Sequence, residues 1–285
     1  TDVGEVYCWG RNDVGQAAGG SRRAVLTPTR VTGLPPIAGL STVASHVCAV
    51  GVEGSLWCWG HSHHGQLGVP DESVPDCGRA ECSRIPLPVT ERGPFDDVFA
   101  ARDGTCARRG GGPVECWGND AAIAAMPVPA VRGAVSIDFG LEHGCALDEV
   151  GGRVRCFGED SFGRLGNGGA EEVVPVPLEG VVAMEVGSDH ACALDAAGEV
   201  RCWGYDWAGA LGRPKEEVPY CTAGDVGGGC AIAPLKPYGI PPAVALSVGD
   251  SASCLLDEDG RAEEGQRGGG GEEKGKSKNP NQRFG

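Results

Sequence analysis

Between Cys48 and Cys58 apolar residues fall at every second position, with Cys48, Val50, Leu56 and Cys58 on one side of the chain. Such alternation on both sides of Gly51 to Gly54 predicts a β-hairpin with one buried face. Folded about residue 53, the hairpin sets Cys48 opposite Cys58 and Val50 opposite Leu56. A cross-strand pair outside the hydrogen-bonded rungs brings Cα atoms to about 4.5 Å, a separation that a disulfide accepts. The same spacing recurs between Cys106 and Cys116 and between Cys192 and Cys202. The step from Cys145 to Cys156 is one residue longer, and Gly151-Gly152 can absorb the extra residue as a bulge or a wider turn.

The hairpin belongs to a larger repeat. Clear copies run over 45–68, 141–166 and 188–212, a degenerate one over 102–126, and half-copies over 4–19 and 249–260. Each second cysteine is followed by an aromatic and a glycine: Trp9-Gly10, Trp59-Gly60, Trp117-Gly118, Phe157-Gly158 and Trp203-Gly204. A flat ring at a fixed point suits packing between successive sheets, and the glycine lets the chain turn. Gly-x-Leu-Gly at 65–68, 163–166 and 209–212 reads as a tight loop into a Pro-rich linker and a Val-rich strand. A reiterated unit of short strands with Gly and Pro punctuation predicts an all-β chain, and radial four-stranded blades are the closed architecture that fits the period.

These residues resemble the repeats of the regulator-of-chromosome-condensation family. Gly187, His190, Ala193-Leu194, Trp203-Gly204 and Ala210-Leu211-Gly212 occupy the places of that pattern, as do His143, Ala146-Leu147 and Gly163 to Gly166 one unit earlier. The resemblance spans residues 2–260 and implies a β-propeller, seven-bladed in well-known members. It implies no single activity, because similar propellers serve nucleotide exchange on a small GTPase, light sensing, β-lactamase inhibition and ligase-associated scaffolding. Three departures stand out: five repeat units instead of seven, cysteine pairs foreign to the nuclear exchange factor, and no basic nuclear-targeting arm. The chain begins inside one unit and its last unit supplies only a first strand, a register that fits two ends completing a blade with the expected bond between Cys8 and Cys254, or equally a fragment cut mid-repeat.

Residues 261–285 break the pattern. Gly, Glu, Lys and Arg dominate them, a composition that cannot bury a core and predicts a disordered tail behind a repeat domain of 1–260. The stop at Gly260, where a Val-x-Cys-Trp-Gly strand is due, fits either a natural tail or an out-of-frame reading of a GC-rich gene.

Charge narrows the partners. The net charge is −15, and residues 1–260 carry 18 Lys and Arg against 35 Asp and Glu. So acidic a surface repels a phosphate backbone, which argues against nucleic acid. No apolar run is long enough to span a bilayer. No signal peptide is visible in a chain that starts at Thr1, a start that is compatible with the loss of one.

Fourteen cysteines sort without remainder into seven pairs. Four lie within hairpins: Cys48 with Cys58, Cys106 with Cys116, Cys145 with Cys156 and Cys192 with Cys202. Two lie in insertions, Cys77 with Cys82 and Cys221 with Cys230, and the last joins Cys8 to Cys254 across the ends. Even numbers at regular spacing point to an oxidising compartment: extracellular, cell-surface or periplasmic. Free core cysteines are the competing reading. A zinc site would require two separate insertions to meet at one tetrahedron.

Several residues are candidates for chemistry. His46, His143 and His190 recur two places before a first cysteine, which marks a structural role, with the imidazole bonded to a backbone carbonyl between blades. His61, His63 and His64 are unique to one loop; clustered imidazoles can take zinc or copper, but no carboxylate or cysteine stands at ligand spacing, so they are candidate partner-binding residues and not metal ligands. The insertions Val69–Pro88 and Arg213–Pro237 are loops on a rigid scaffold, where binding concentrates. Tyr205 and Trp207 replace small residues of other units, and with Tyr220 they are candidate aromatic anchors. Asp160 and Asp206 suit turn caps better than calcium ligands. No catalytic triad, nucleophile elbow or phosphate-cradling loop is present.

The expectation is a secreted or surface-exposed, bacterial-type propeller that binds a protein or glycan partner, favouring a basic one, as a monomer without cofactor or catalysis. A cytosolic guanine-nucleotide exchange factor with reduced cysteines is the alternative from another class. A third is an inhibitor of a secreted hydrolase, similar to the propeller-type β-lactamase inhibitor.

Overall fold

Each repeat folds into one antiparallel sheet, and the sheets follow one another around a shared hub. A computed structural model describes residues 1–264 apart from 19, 22, 76, 78–80, 113, 120–130, 132, 170–174, 224, 225, 260 and 261. The first sheet pairs β1 (Tyr7–Gly10) with β2 (Val25–Arg30). The second is a full four-stranded blade of β3 (Ile37–Val43), β4 (His46–Gly51), β5 (Leu56–His61) and β6 (Cys82–Pro88) in chain order. The third holds β7 (Asp97–Ala100), β8 (Gly104–Arg108) and β9 (Val114–Gly118), and the fourth β10 (Ala134–Phe139), β11 (His143–Asp148) and β12 (Val154–Gly158). Residues 120–130 and 170–174, which follow these two sheets in the chain, lie outside the described residues. The fifth sheet contains β13 (Val181–Val186), β14 (His190–Asp195), β15 (Val200–Tyr205), β16 (Tyr220–Ala223) and β17 (Val226–Leu235), with β17 lying between β15 and β16. The sixth holds β18 (Ala243–Val248), β19 (Ser253–Asp257) and β20 (Ala262–Glu264).

The first strands β3, β7, β10, β13 and β18 touch one another in succession, which makes them the hub. Among the described residues the helical pieces are short 3₁₀ turns. The architecture is therefore an all-β propeller, and the core lies between neighbouring sheets. Cys48, Val50, Leu56 and Leu67 pack on Val98, Ala107 and Trp117 of the next sheet, while Val47, Ala49 and Trp59 pack on Val6 and Val31 of the previous one. Every residue of β4 is buried. The expectation of one buried face is thus corrected for the inner sheets: each is sandwiched by two neighbours, and the second face is covered through small residues such as Ala49, Ala146 and Ala193.

Rung alternation explains the cysteine pairs. Backbone bonds from Gly51 N to Ser55 O and from His61 N to Ser45 O mark the hydrogen-bonded rungs of that hairpin. Counting inward, Cys48 and Cys58 fall on a rung of the other kind, where side chains come closest. The other hairpins repeat this register: Cys106 faces Cys116, Cys145 faces Cys156, and Cys192 faces Cys202. All four pairs have Cα separations of 4.0–4.2 Å and stand at disulfide distance. Cys116, in the degenerate repeat, is only partly buried, whereas Cys156, Cys202 and the remaining hairpin cysteines are enclosed between sheets. The extra residue between Cys145 and Cys156 sits in the turn, where Gly151 and Gly152 adopt φ of 83° and 55°, and leaves the strand register intact.

The expected bond between Cys8 and Cys254 is not made: both are free thiols. Cys8 lies in β1 opposite Thr29, and among the described residues β2 is the strand paired with β1. The place opposite Cys254, ten residues on, is filled by Glu264 of β20. That strand also carries the fold past the expected boundary at 260. The remaining tail, 265–285, lies outside the described residues.

Candidate interaction face

All candidate residues sit at one end of the sheets, where the loop after Trp-Gly meets the turn between the first two strands. The first residue of each loop donates its N–H to that turn: His61 to Ser45 O, Glu159 to Glu142 O and Tyr205 to Asp189 O, at 2.8–2.9 Å. The loops are closed by one device. Asn12, Asp160 and Asp206 each accept the backbone N–H five residues on, from Ala17, Leu165 and Leu211, at 2.9–3.0 Å. Partial burial pushes the carboxyl groups of Asp160 and Asp206 above the ordinary range.

The loops then wedge between blades. Trp59, Trp117 and Trp203 donate their indole N–H to Gln16 O, Gln66 O and Arg164 O of the preceding loop, at 3.0–3.1 Å. Gly68 and Gly166 (φ 69° and 61°) close two of these loops, and any side chain there would overlap the indoles of Trp117 and Trp203. The recurring histidines complete the joint, though their partner is a hydroxyl and not the expected carbonyl. Thr105 donates to Gln66 O at 2.8 Å and so accepts from His46 Nε2 at 2.9 Å. Ser253 does the same between Ala210 O, at 3.0 Å, and His190 Nε2, at 2.9 Å. Behind His143 the equivalent residue is Ala191, and neither ring nitrogen of His143 has a partner. Burial holds these imidazoles neutral, with pKa values lowered to about 4, 3 and 4 for His46, His143 and His190.

Two insertions rise from this end and share one plan. Pro70-Asp-Glu-Ser-Val-Pro-Asp-Cys77 matches Pro214-Lys-Glu-Glu-Val-Pro-Tyr-Cys221, a correspondence legible as Pro-x-Glu-x-Val-Pro-x-Cys once the insertions are aligned. Each opens with a 3₁₀ turn, Asp71–Ser73 or Lys215–Glu217. Each returns at a buried cysteine whose N–H bonds the second proline: Cys82 to Pro75 O at 3.2 Å, Cys230 to Pro219 O at 2.9 Å. Cys82 pairs with His61 and Cys230 with Tyr205, the same register in both blades. Within the flaps, Cys77 and Cys82 stand at disulfide distance, as do Cys221 and Cys230.

The candidate anchors divide. Tyr205 stands between Phe162 of the preceding blade's loop and Trp207, with ring centroids 4.4 and 6.0 Å apart and planes tilted by 30° and 34°. Sequence alone does not single out Phe162, because its ring joins Tyr205 only across the blade junction. Tyr220 lies apart: its ring covers Gly227 while that of Tyr205 covers Gly228, and successive strand residues point to opposite faces. His61, His63 and His64 cluster in the second blade, with neighbouring centroids 6.2 and 5.0 Å apart. His61 Nδ1 meets the Gln66 amide at 3.2 Å, and His64 lies 3.9 Å from Asp103. Among the described residues no group of three or more His, Cys, Asp or Glu is placed to hold a metal.

Acidic groups dominate the face. Asp103, Glu142, Asp189 and Asp250 line the strand turns of successive blades. The largely buried Arg164 gathers three carboxylates, Asp189 at 2.5 Å, Glu142 at 3.4 Å and Glu159 at 3.6 Å.

Comparison with known proteins agrees with this geometry. Two profiles described as the regulator of chromosome condensation (RCC1) repeat match residues 3–50 and 181–206. Yeast RCC1 (Prp20), in its complex with Kap60, superposes over 91% of this chain and 65% of its own, with a TM-score of 0.73 at 19% identity. The chain carries RCC1 repeats and folds as a β-propeller. Human WBSCR16 shares the fold with a TM-score of 0.67 at 18% identity, over 89% of this chain and 68% of its own. Among sequence relatives, the human E3 ubiquitin-protein ligase HERC2 is 28% identical over 73% of this chain and 5% of its own length. The bovine secretion-regulating guanine nucleotide exchange factor is 29% identical over 64% and 33%. This RCC1-repeat chain therefore spans a third or less of these two relatives. Among the described residues no helix is long and apolar enough to cross a membrane.

Proposed function

We propose that this propeller is a non-catalytic interaction module outside the cytosol, presenting its two stapled flaps to a protein partner. The observation that carries the reading is the repeated flap plan, Pro70–Cys77 and Pro214–Cys221, anchored at the same register in two blades of one face. A flap tied at its base loses little freedom on binding, which lowers the cost of association. Six cysteine pairs at disulfide distance favour an oxidising compartment. The acidic turns favour a basic partner, and the mechanism is rigid presentation without bond chemistry.

Alkylation of the native protein tests the compartment: two thiols should react before reduction and fourteen after it. Replacing 214–229 by a short turn, which leaves the Cys230–Leu235 stretch paired with β15, tests the face, since proteins captured from the native extracellular fluid should be lost while the sheet content is kept.

The bovine exchange-factor relative favours a second reading, a regulator of a small GTPase with reduced cysteines. It requires fourteen reactive thiols and accelerated release of bound nucleotide from a GTPase.

A further inference from the structure

The three rings of Phe162, Tyr205 and Trp207 form a ladder across the junction of the fourth and fifth blades. Its inner rung is Phe162, 8% exposed, and its outer rung is Trp207, 61% exposed. The ladder is held in place at a cost. Phe162 adopts φ 63° and Ala208 φ 58°, left-handed conformations that bulky or β-carbon-bearing residues avoid. Strain of this kind persists where surrounding structure enforces it, and it concentrates at ligand sites. On the other side, Gly228 lets Tyr205 lie flat against β17, where any side chain would collide with the ring.

The charge around the ladder has one sign in excess. Glu159, Asp160 and Asp206 lie in the two loops that carry the rings, and Glu142 and Asp189 lie in the turns beneath them. The sole cation of these two loops, Arg164, is already engaged by Asp189, Glu142 and Glu159. An exposed indole next to surplus carboxylates suits a guanidinium or ammonium group, which the ring attracts through its face and the carboxylates through their charge.

We propose that Tyr205 and Trp207, with Asp206 between them, form a docking platform for an arginine- or lysine-bearing segment of a protein partner. This rests on the interaction reading above and assigns it a residue-level site. The cationic head stacks on Trp207, and Phe162 and Tyr205 keep that indole from turning away.

Calorimetric titration of the full oxidised chain with a short Arg-rich peptide tests the site. Its comparison ligands are the same peptide with citrulline for arginine and a neutral oligosaccharide. The Arg peptide should bind with an affinity that falls as salt rises, and W207A should weaken it about tenfold. D206N should weaken it less, and W9A, at another exposed tryptophan on the first sheet, should leave it unchanged. Equal affinity for W207A and the parent, with matching melting temperatures, overturns the platform, as does binding of citrulline peptide or oligosaccharide as tight as that of the Arg peptide. If W207A binds normally while flap-dependent capture persists, this site falls and the broader reading stands.

Discussion

Thr105 and His46, 59 residues apart in sequence, are joined at 2.9 Å, and the hydroxyl passes the bond on to the Gln66 carbonyl of the wedge between their blades. The same relay recurs at Ser253 and His190. At the joint of the fourth and fifth sheets the hydroxyl is missing: Ala191 leaves the buried His143 without a partner at either nitrogen. Restoring the relay should stabilise the protein. A191S places a hydroxyl between His143 and Arg164 O and is expected to add about 1 kcal/mol, while T105A should remove about 1–2 kcal/mol. Chemical denaturation of both variants checks this, and a destabilised A191S would contradict it.

Acid should weaken the fold in a defined window. His46, His143 and His190 are neutral when folded, with pKa values of about 4, 3 and 4, and revert to an ordinary histidine value when unfolded. The unfolded chain therefore binds more protons below about pH 6.5, and stability falls as pH drops from there toward 4. Three such groups contribute at most about 4 kcal/mol per pH unit. Asp138 opposes them. It is buried at the hub beneath Val186 N, and burial raises its carboxyl to about 7, so it loses stability as pH rises from about 4 to 7. Melting temperature should rise from pH 4 to 6.5 in the parent and rise more steeply in D138N. A flat profile in both would show that the imidazoles are not buried neutral.

Two tryptophans of the same repeat position should respond very differently. Trp203 is fully buried and donates to Arg164 O, whereas Trp9 is 62% exposed. W203A is expected to cost about 3–5 kcal/mol and W9A less than about 1 kcal/mol. Equal losses would mean that the first sheet is covered as the others are.

Arg164 holds the carboxylates of two blades together. R164A leaves Glu142, Glu159 and Asp189 near one another without their shared cation, and because these carboxylates are partly solvated it should cost about 1–2 kcal/mol. High salt should recover part of that loss by screening the repulsion. A loss that salt leaves unchanged would assign Arg164 a packing role instead.

What the sequence disclosed was local. Period-two alternation from Cys48 to Cys58 identified the hairpin and its rung, since both strands of the pair lie within a dozen residues. The same holds for Cys116, Cys156 and Cys202, each set opposite its partner by a turn of a few residues. The buried second face escaped it, because Ala49, Ala146 and Ala193 cover that face with too little apolar volume to mark a pattern. The hydroxyl partners of His46 and His190 were also out of reach, each lying one repeat further on. At the interaction face, Tyr205 and Trp207 were legible as oversized residues in a small-residue loop. Their separation from Tyr220 was not, because it depends on which side of β17 each ring lies. The shared Pro-x-Glu-x-Val-Pro-x-Cys plan needed no coordinates, only alignment of the two insertions with each other. The expectation for Cys8 and Cys254 failed for a different reason: spacing shows that two residues suit the same rung, but not which strand occupies it.

Both flaps leave and rejoin their blade at the top of the outer strand, through a proline carbonyl and a buried cysteine. The wheel beneath takes only a few residues from them, Val218 and Ala231 in the second, so the segments between behave as cassettes. Such a body plan lets recognition diversify while the barrel of sheets stays constant, and it makes these two segments the natural places to graft a new specificity.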